Sequence, residues 1–239
     1  MPESSPIVTQ PIPPEWSDIF AGREIVFALL GKAIYSYPDK EWLDSLVEEN
    51  VFDDFPLIID HKDITEGIEQ LQKWSEDWRK GIPTANFEAL KSDYNRMFIG
   101  LGTILAPPWE SVHLSREKLL FQEQTIQVRK WYFDFGLEID KLNKEPDDHV
   151  GLELSFLSFL SNLCLKALEE NDTERLEQLL QAIRRFITEH MLKWVPAWCE
   201  MVEEYAVTDF YSGQAKLIRG TLFALADSLG AKIPKRKKN

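Results

Sequence analysis

The stretch EPDDHVGLELSFLSFLSNLCLKALE, Glu145 to Glu169, decides the fold. Its apolar residues Val150, Leu152, Leu154, Phe156, Leu157, Phe159, Leu160, Leu163 and Leu165 fall on nearly every side of a helical projection. A surface helix keeps a polar face, so a helix that is apolar all round belongs at the centre of a bundle. Pro146 suits a first helical turn, where a missing N–H costs nothing, and this predicts a helix from 146 to about 169.

The flanking sequence also keeps a helical period. Upstream, Ile19, Phe20, Val26, Phe27, Leu30 and Ile34 predict a helix from Glu15 to about Ser36. After Tyr37-Pro38, Asp39 is placed to cap a second helix carrying Trp42, Leu43, Leu46 and Val47. Asp63 with Glu66 reads as a capping box for a third, through Ile68, Leu71 and Trp74. A fourth covers about Asn86 to Ile99, and a further one carries Ile126, Val128, Trp131, Tyr132 and Phe135 up to Gly136. Downstream, Asn171-Asp172-Thr173 starts a helix to about His190, another surrounds Pro196 and reaches Tyr205, and a last one runs from Asp209 to Leu229, ended by Gly230. No segment reads as β. The expectation is an all-α fold, a single-domain helical bundle of about nine or ten helices with a long irregular loop near 100–124. Along the chain this gives an irregular lead-in at 1–14, an N-terminal helical half at 15–137, a connector or hinge at 138–145, a C-terminal helical half at 146–230 and a basic tail at 231–239.

The 239 residues carry 40 acidic against 27 basic side chains, a net charge of −13. Such a surface repels phosphate backbones and anionic lipid, which argues against nucleic acid and membrane and in favour of a cationic peptide or protein segment. The run Lys235-Arg236-Lys237-Lys238 is the exception and reads as a solvated tail. Residues 1–14 have neither the positive charge nor the apolar core of a signal peptide. No stretch approaches the ~18 apolar residues of a membrane span, so a cytoplasmic protein is expected. Cys164 and Cys199 sit in apolar helical surroundings and read as buried free thiols.

Two motifs could carry function. Glu145-Pro146-Asp147-Asp148-His149 gathers three carboxylates and an imidazole. The ordinary account is a helix start whose acids complement the dipole, each by ~0.3–1 kcal/mol. Its place at the mouth of the most buried helix would also hold carboxylates rigidly for a guanidinium. A metal-dependent nucleotide or phosphoester hydrolase using Asp147, Asp148 and His149 is the alternative, although the helical metal motifs are absent. The second motif, Ala106-Pro107-Pro108-Trp109-Glu110-Ser111, uses two prolines to fix an extended backbone, so Trp109 is either a staple for the loop or an aromatic anchor beside a groove. There is no nucleophile elbow, no Cys–His pair and no phosphate loop.

These residues, with Asp93-Tyr94-Asn95-Arg96-Met97-Phe98-Ile99-Gly100 before them and Trp194, Pro196 and Phe210-Tyr211 after, resemble the TorD/DmsD family of redox-enzyme maturation chaperones over about residues 86 to 230. The resemblance implies an all-α chaperone with no cofactor of its own and no catalytic or metal residues. Its implied partners are the twin-arginine signal peptide and the apo catalytic subunit of a molybdopterin oxidoreductase of the DMSO-reductase family, which it would hold until cofactor insertion and before Tat export. It implies peptide-binding roles for Tyr94, Phe98, Pro108, Trp109, Ser111, Arg116, Asp148 and His149, to which the two motifs add Pro107, Glu145 and Asp147 as candidates, while the polar connector 138–144 leaves a monomer or an exchange dimer open. His113 departs from the pattern, which favours a bulky aromatic there. Asp147 and Asp148 would meet the arginines, and Trp109, Tyr94 and Phe98 the apolar part.

Overall fold

A computed structural model describes residues 15–56, 60–100, 102–137 and 145–233. Among them lie ten α-helices and no strand: α1 (Trp16–Tyr35), α2 (Lys40–Glu48), α3 (Lys62–Glu76), α4 (Thr84–Tyr94), α5 (Glu110–Leu114), α6 (Glu123–Asp134), α7 (Val150–Glu169), α8 (Thr173–Glu189), α9 (Val195–Tyr205) and α10 (Asp209–Ser228). The all-helical expectation stands. The lead-in 1–14, the connector 138–144 and Lys235 to Lys238 lie outside the described residues.

Several ends follow from local chemistry. Asp39 accepts from the Trp42 backbone N–H at 2.7 Å, and Asp172 from that of Arg175 at 2.9 Å, which caps α2 and α8. Gly136 and Gly230 follow α6 and α10 with φ of 74° and 60°, a conformation that costs glycine nothing. The third helix differs from expectation. His61 caps it through Nδ1, and Asp63 turns instead to Arg219 of α10, with contacts of 2.6 and 3.0 Å. The loop expected at 100–124 is also broken by α5.

Two long helix pairs organise the bundle. α1 lies along α7, and α3 along α10. Each pair meets where glycines let backbones touch. A Cβ on Gly151 would stand 2.8 Å from the Gly31 carbonyl and 2.9 Å from the Tyr35 nitrogen, and one on Gly67 would stand 3.0 Å from the Gly213 carbonyl. Helices of the N-terminal half thus pack directly on helices of the C-terminal half. α7 is the one described helix long and apolar enough to cross a membrane, with a mean hydropathy of 1.3 over its apolar window. Most of it is buried among its neighbours, as expected of a core helix. Cys164 of α7 and Cys199 of α9 are free and buried.

Candidate functional site

α7 does not begin at Pro146. Its first residue is Val150, and His149 is the N-cap, with Nδ1 accepting from the Gly151 N–H at 3.0 Å. The residues before it are drawn out of the helix by pairing with the proline strap. Glu110 N–H donates to the Asp148 carbonyl at 3.0 Å and Val150 N–H to the Pro108 carbonyl at 2.8 Å, an antiparallel bridge that joins Trp109 to His149. Pro107 and Pro108 have no N–H to give, so the strap enters this pairing already extended. The two motifs thus form one site.

Beneath the bridge the side chains are buried and largely paired with one another, although Asp147 Oδ1 and Ser111 Oγ have no hydrogen-bond partner. Asp148 accepts from the Ser111 N–H at 2.6 Å and from Thr125 Oγ1 at 2.7 Å. Asp147 pairs with Arg129 of α6, and its carbonyl accepts from Tyr132 at 3.2 Å. Both carboxylates have 0% relative exposure, so neither faces a guanidinium arriving from solvent. The expectation that they meet the arginines finds no exposed carboxylate at either residue. His149 is held neutral because burial lowers its pKa to about 3. Glu110 sits 2.9 Å from His190 Nδ1. Glu153, one turn into α7, lies beside Glu110 and the Trp194 indole; burial, then repulsion from Glu110 and Asp148, raises its pKa well above the carboxylate range.

Tyr94 and Phe98 also belong to the interior. The Tyr94 hydroxyl donates to the carbonyl of Ile34 at 3.0 Å, and its ring packs at 5.2 Å on Phe98, which in turn meets Trp198 at 5.9 Å. Asn95–Ile99 forms a π-helical turn ending at Gly100, φ 67°, where the strap departs. Such turns are often found at functional sites. Here the turn carries Met97, whose carbonyl accepts from Ala106 at 2.9 Å and anchors the strap. Trp198 Nε1 donates to the Ala106 carbonyl at 3.1 Å. His113 takes the expected aromatic's place by stacking on Trp194 at 4.9 Å, with Nε2 2.7 Å from the Pro107 carbonyl.

The solvent-facing rim is smaller. Trp109, Pro107 and Glu145 are half-buried, and Trp109 Nε1 donates to Glu145 Oε1 at 3.3 Å. Two tyrosines that sequence reasoning missed complete the rim. Tyr35 meets the His149 ring edge-on at 5.2 Å, and the exposed Tyr37 meets Tyr94 at 5.5 Å. Only the Tyr-x-Tyr-Pro ending of α1 could have signalled them. Arg116 is exposed just beyond α5. Asp148 and His149 Nδ1 are engaged by Ser111, Thr125 and Gly151, and Asp147 pairs with Arg129 through Oδ2 while its Oδ1 is buried without a partner. Among the described residues no three His, Cys, Asp or Glu side chains group as metal ligands would.

What this arrangement offers a ligand is an aromatic and acidic surface on a rigid support, the character of a binding protein. The chain belongs to the nitrate reductase delta subunit family, whose sequence pattern matches residues 61–200, and it is similar to curated DmsD and TorD chaperones. It is 31% identical over 139 residues to the Tat proofreading chaperone DmsD of Salmonella typhi, covering 58% of this chain and 61% of that one. It is 27% identical over 139 residues to the chaperone protein TorD of Vibrio vulnificus, covering 58% and 62%. The alignment thus spans about three-fifths of the length of these curated relatives, which are named as chaperones and not as enzymes. A crystal structure of a candidate redox enzyme maturation protein from Archaeoglobus fulgidus shares 20% identity at a TM-score of 0.49, covering 84% of this chain and 93% of that one.

Proposed function

We propose that the protein is a cytoplasmic, system-specific chaperone that binds the twin-arginine signal peptide of a molybdopterin oxidoreductase catalytic subunit and holds the precursor before Tat export. The relatives named as Tat proofreading chaperones support a Tat-linked chaperone role, and the observation that carries the site is the Trp109–Glu145 pair. Glu145 is the half-exposed carboxylate of the acidic motif, and the Trp109 indole beside it can cover the stem of an arginine or the apolar residues that follow. Tyr35, Tyr37 and Pro107 extend that surface. Asp147, Asp148, His149, Ser111, Pro108, Tyr94 and Phe98 act underneath, as the support that keeps the strap and the α7 start in register.

The test is calorimetric titration with signal peptides of molybdoenzymes from the same genome, with Arg-Arg against Ala-Ala versions. Binding that requires the arginines is expected. Trp109→Ala should weaken it by more than ~1 kcal/mol, as aromatic anchors do. Glu145→Gln should weaken it at low ionic strength and less at high. Equal binding of the Arg-Arg and Ala-Ala peptides would overturn the reading, and indifference to both substitutions would move the site elsewhere.

A further inference from the structure

At the end of the bundle where α1 begins and α10 finishes, Arg23 is 93% buried, with 7% relative exposure. A guanidinium carries five N–H donors and normally leaves water only against a carboxylate or several carbonyls. Here Nη2 donates to Ser228 Oγ at 2.8 Å, and the group stands 5.9 Å from the Phe20 ring centre. Ser228 is itself committed, since its hydroxyl donates to the Leu225 carbonyl at 2.8 Å. No carboxylate among the described residues pairs with Arg23. The nearby titratable group is the Cys164 thiol, whose pKa burial pushes up to about 12, so it supplies no counter-charge at neutral pH. Burial lowers the pKa of Arg23 itself to about 10, the mark of a cation held without compensation.

Arg23 and Ser228 line a cavity of about 80 Å³ whose other walls are Trp16, Ile19, Phe20, Leu180 and Leu229. A small apolar chamber with an under-used guanidinium complements a carboxylate on a short aliphatic stem, the head taking the free donors and the stem the aromatic and aliphatic wall. We propose that this chamber is a carboxylate-binding site, for a free short-chain carboxylic acid or the carboxylate terminus of a peptide. It stands apart from the Trp109–Glu145 surface and does not depend on the signal-peptide reading. Arg23 also lies near the C-terminal end of α10, where a cation complements the helix dipole. That structural role alone would leave the protein indifferent to carboxylates.

The experiment is thermal unfolding of the full chain with propionate against chloride at matched ionic strength, and with a short apolar peptide bearing a free or an amidated C-terminus. A saturable rise of about 2 °C or more with propionate, or with the free-acid peptide but not the amide, is expected, and which of the two is stronger identifies the source of the carboxylate. Arg23→Met should abolish it. In case that variant does not fold, Ile19→Trp, which fills the chamber and leaves Arg23 in place, should abolish it as well. No saturable rise in the wild-type protein, or a rise that survives in a folded Arg23→Met or in Ile19→Trp, would overturn the proposal.

Discussion

Glu153 and His149 lie within one turn of each other, and burial drives them to opposite protonation extremes. Glu153 stays protonated when folded and ionises above its ordinary 4.5 when unfolded, so the stability it lends is complete below that value and drains away as pH rises. Glu153→Gln removes this drain. Its melting temperature should exceed that of the wild type by a margin that widens from pH 5 to pH 8, with a ceiling of about 1.4 kcal/mol per pH unit. His149 works on the other side. Its stability is complete above the ordinary 6.5 and is lost as pH falls toward about 3, because the unfolded imidazole takes up a proton that the folded one refuses. The acid limb should therefore flatten in His149→Asn, which keeps a capping oxygen. A wild-type-to-variant difference that stays constant across the pH range would mean that neither group is held as described.

Among the elements, the α1–α7 crossing positions the site, because Gly151 is at once the contact with Gly31 and the donor to His149. Gly151→Ala would force its Cβ into the Gly31 carbonyl and the Tyr35 backbone. A loss of about 1–3 kcal/mol is expected on denaturant unfolding, with signal-peptide affinity falling alongside. A variant as stable as the wild type would show that the helices can separate at no cost. This crossing also marks how far the sequence could be read. The helices, the caps Asp39 and Asp172 and the stops Gly136 and Gly230 were legible because each depends on neighbours within a turn. The start of α7 was misplaced by four residues because Asp147 and Asp148 answer to Arg129, Thr125 and the strap, partners that only tertiary packing brings near. For the same reason the acidic motif was legible as part of a site, while the burial of two of its three carboxylates was not. Tyr35 went unnoticed because it meets His149 across 114 positions of chain.

At the scale of the molecule, the two sequence halves share one core, since α1 packs on α7 and α3 on α10. Tryptophan emission and helical circular dichroism should therefore report a single, coincident unfolding transition. Two separated transitions would show that the two parts of the chain do not share one cooperative core. The net charge of −13, most of it carried on exposed side chains, bears chiefly on partners.

The same packing sets a timetable for synthesis. α3 meets α2 early but lacks its principal partner until α10 has left the ribosome, and the Gly31 face of α1 stays open until α7 follows it out, waits of roughly 6–30 seconds at cellular elongation rates of about 5–20 residues per second. A protein whose relatives are named as chaperones thus spends its own infancy with two apolar helix faces uncovered, and it completes itself only when its last long helix arrives.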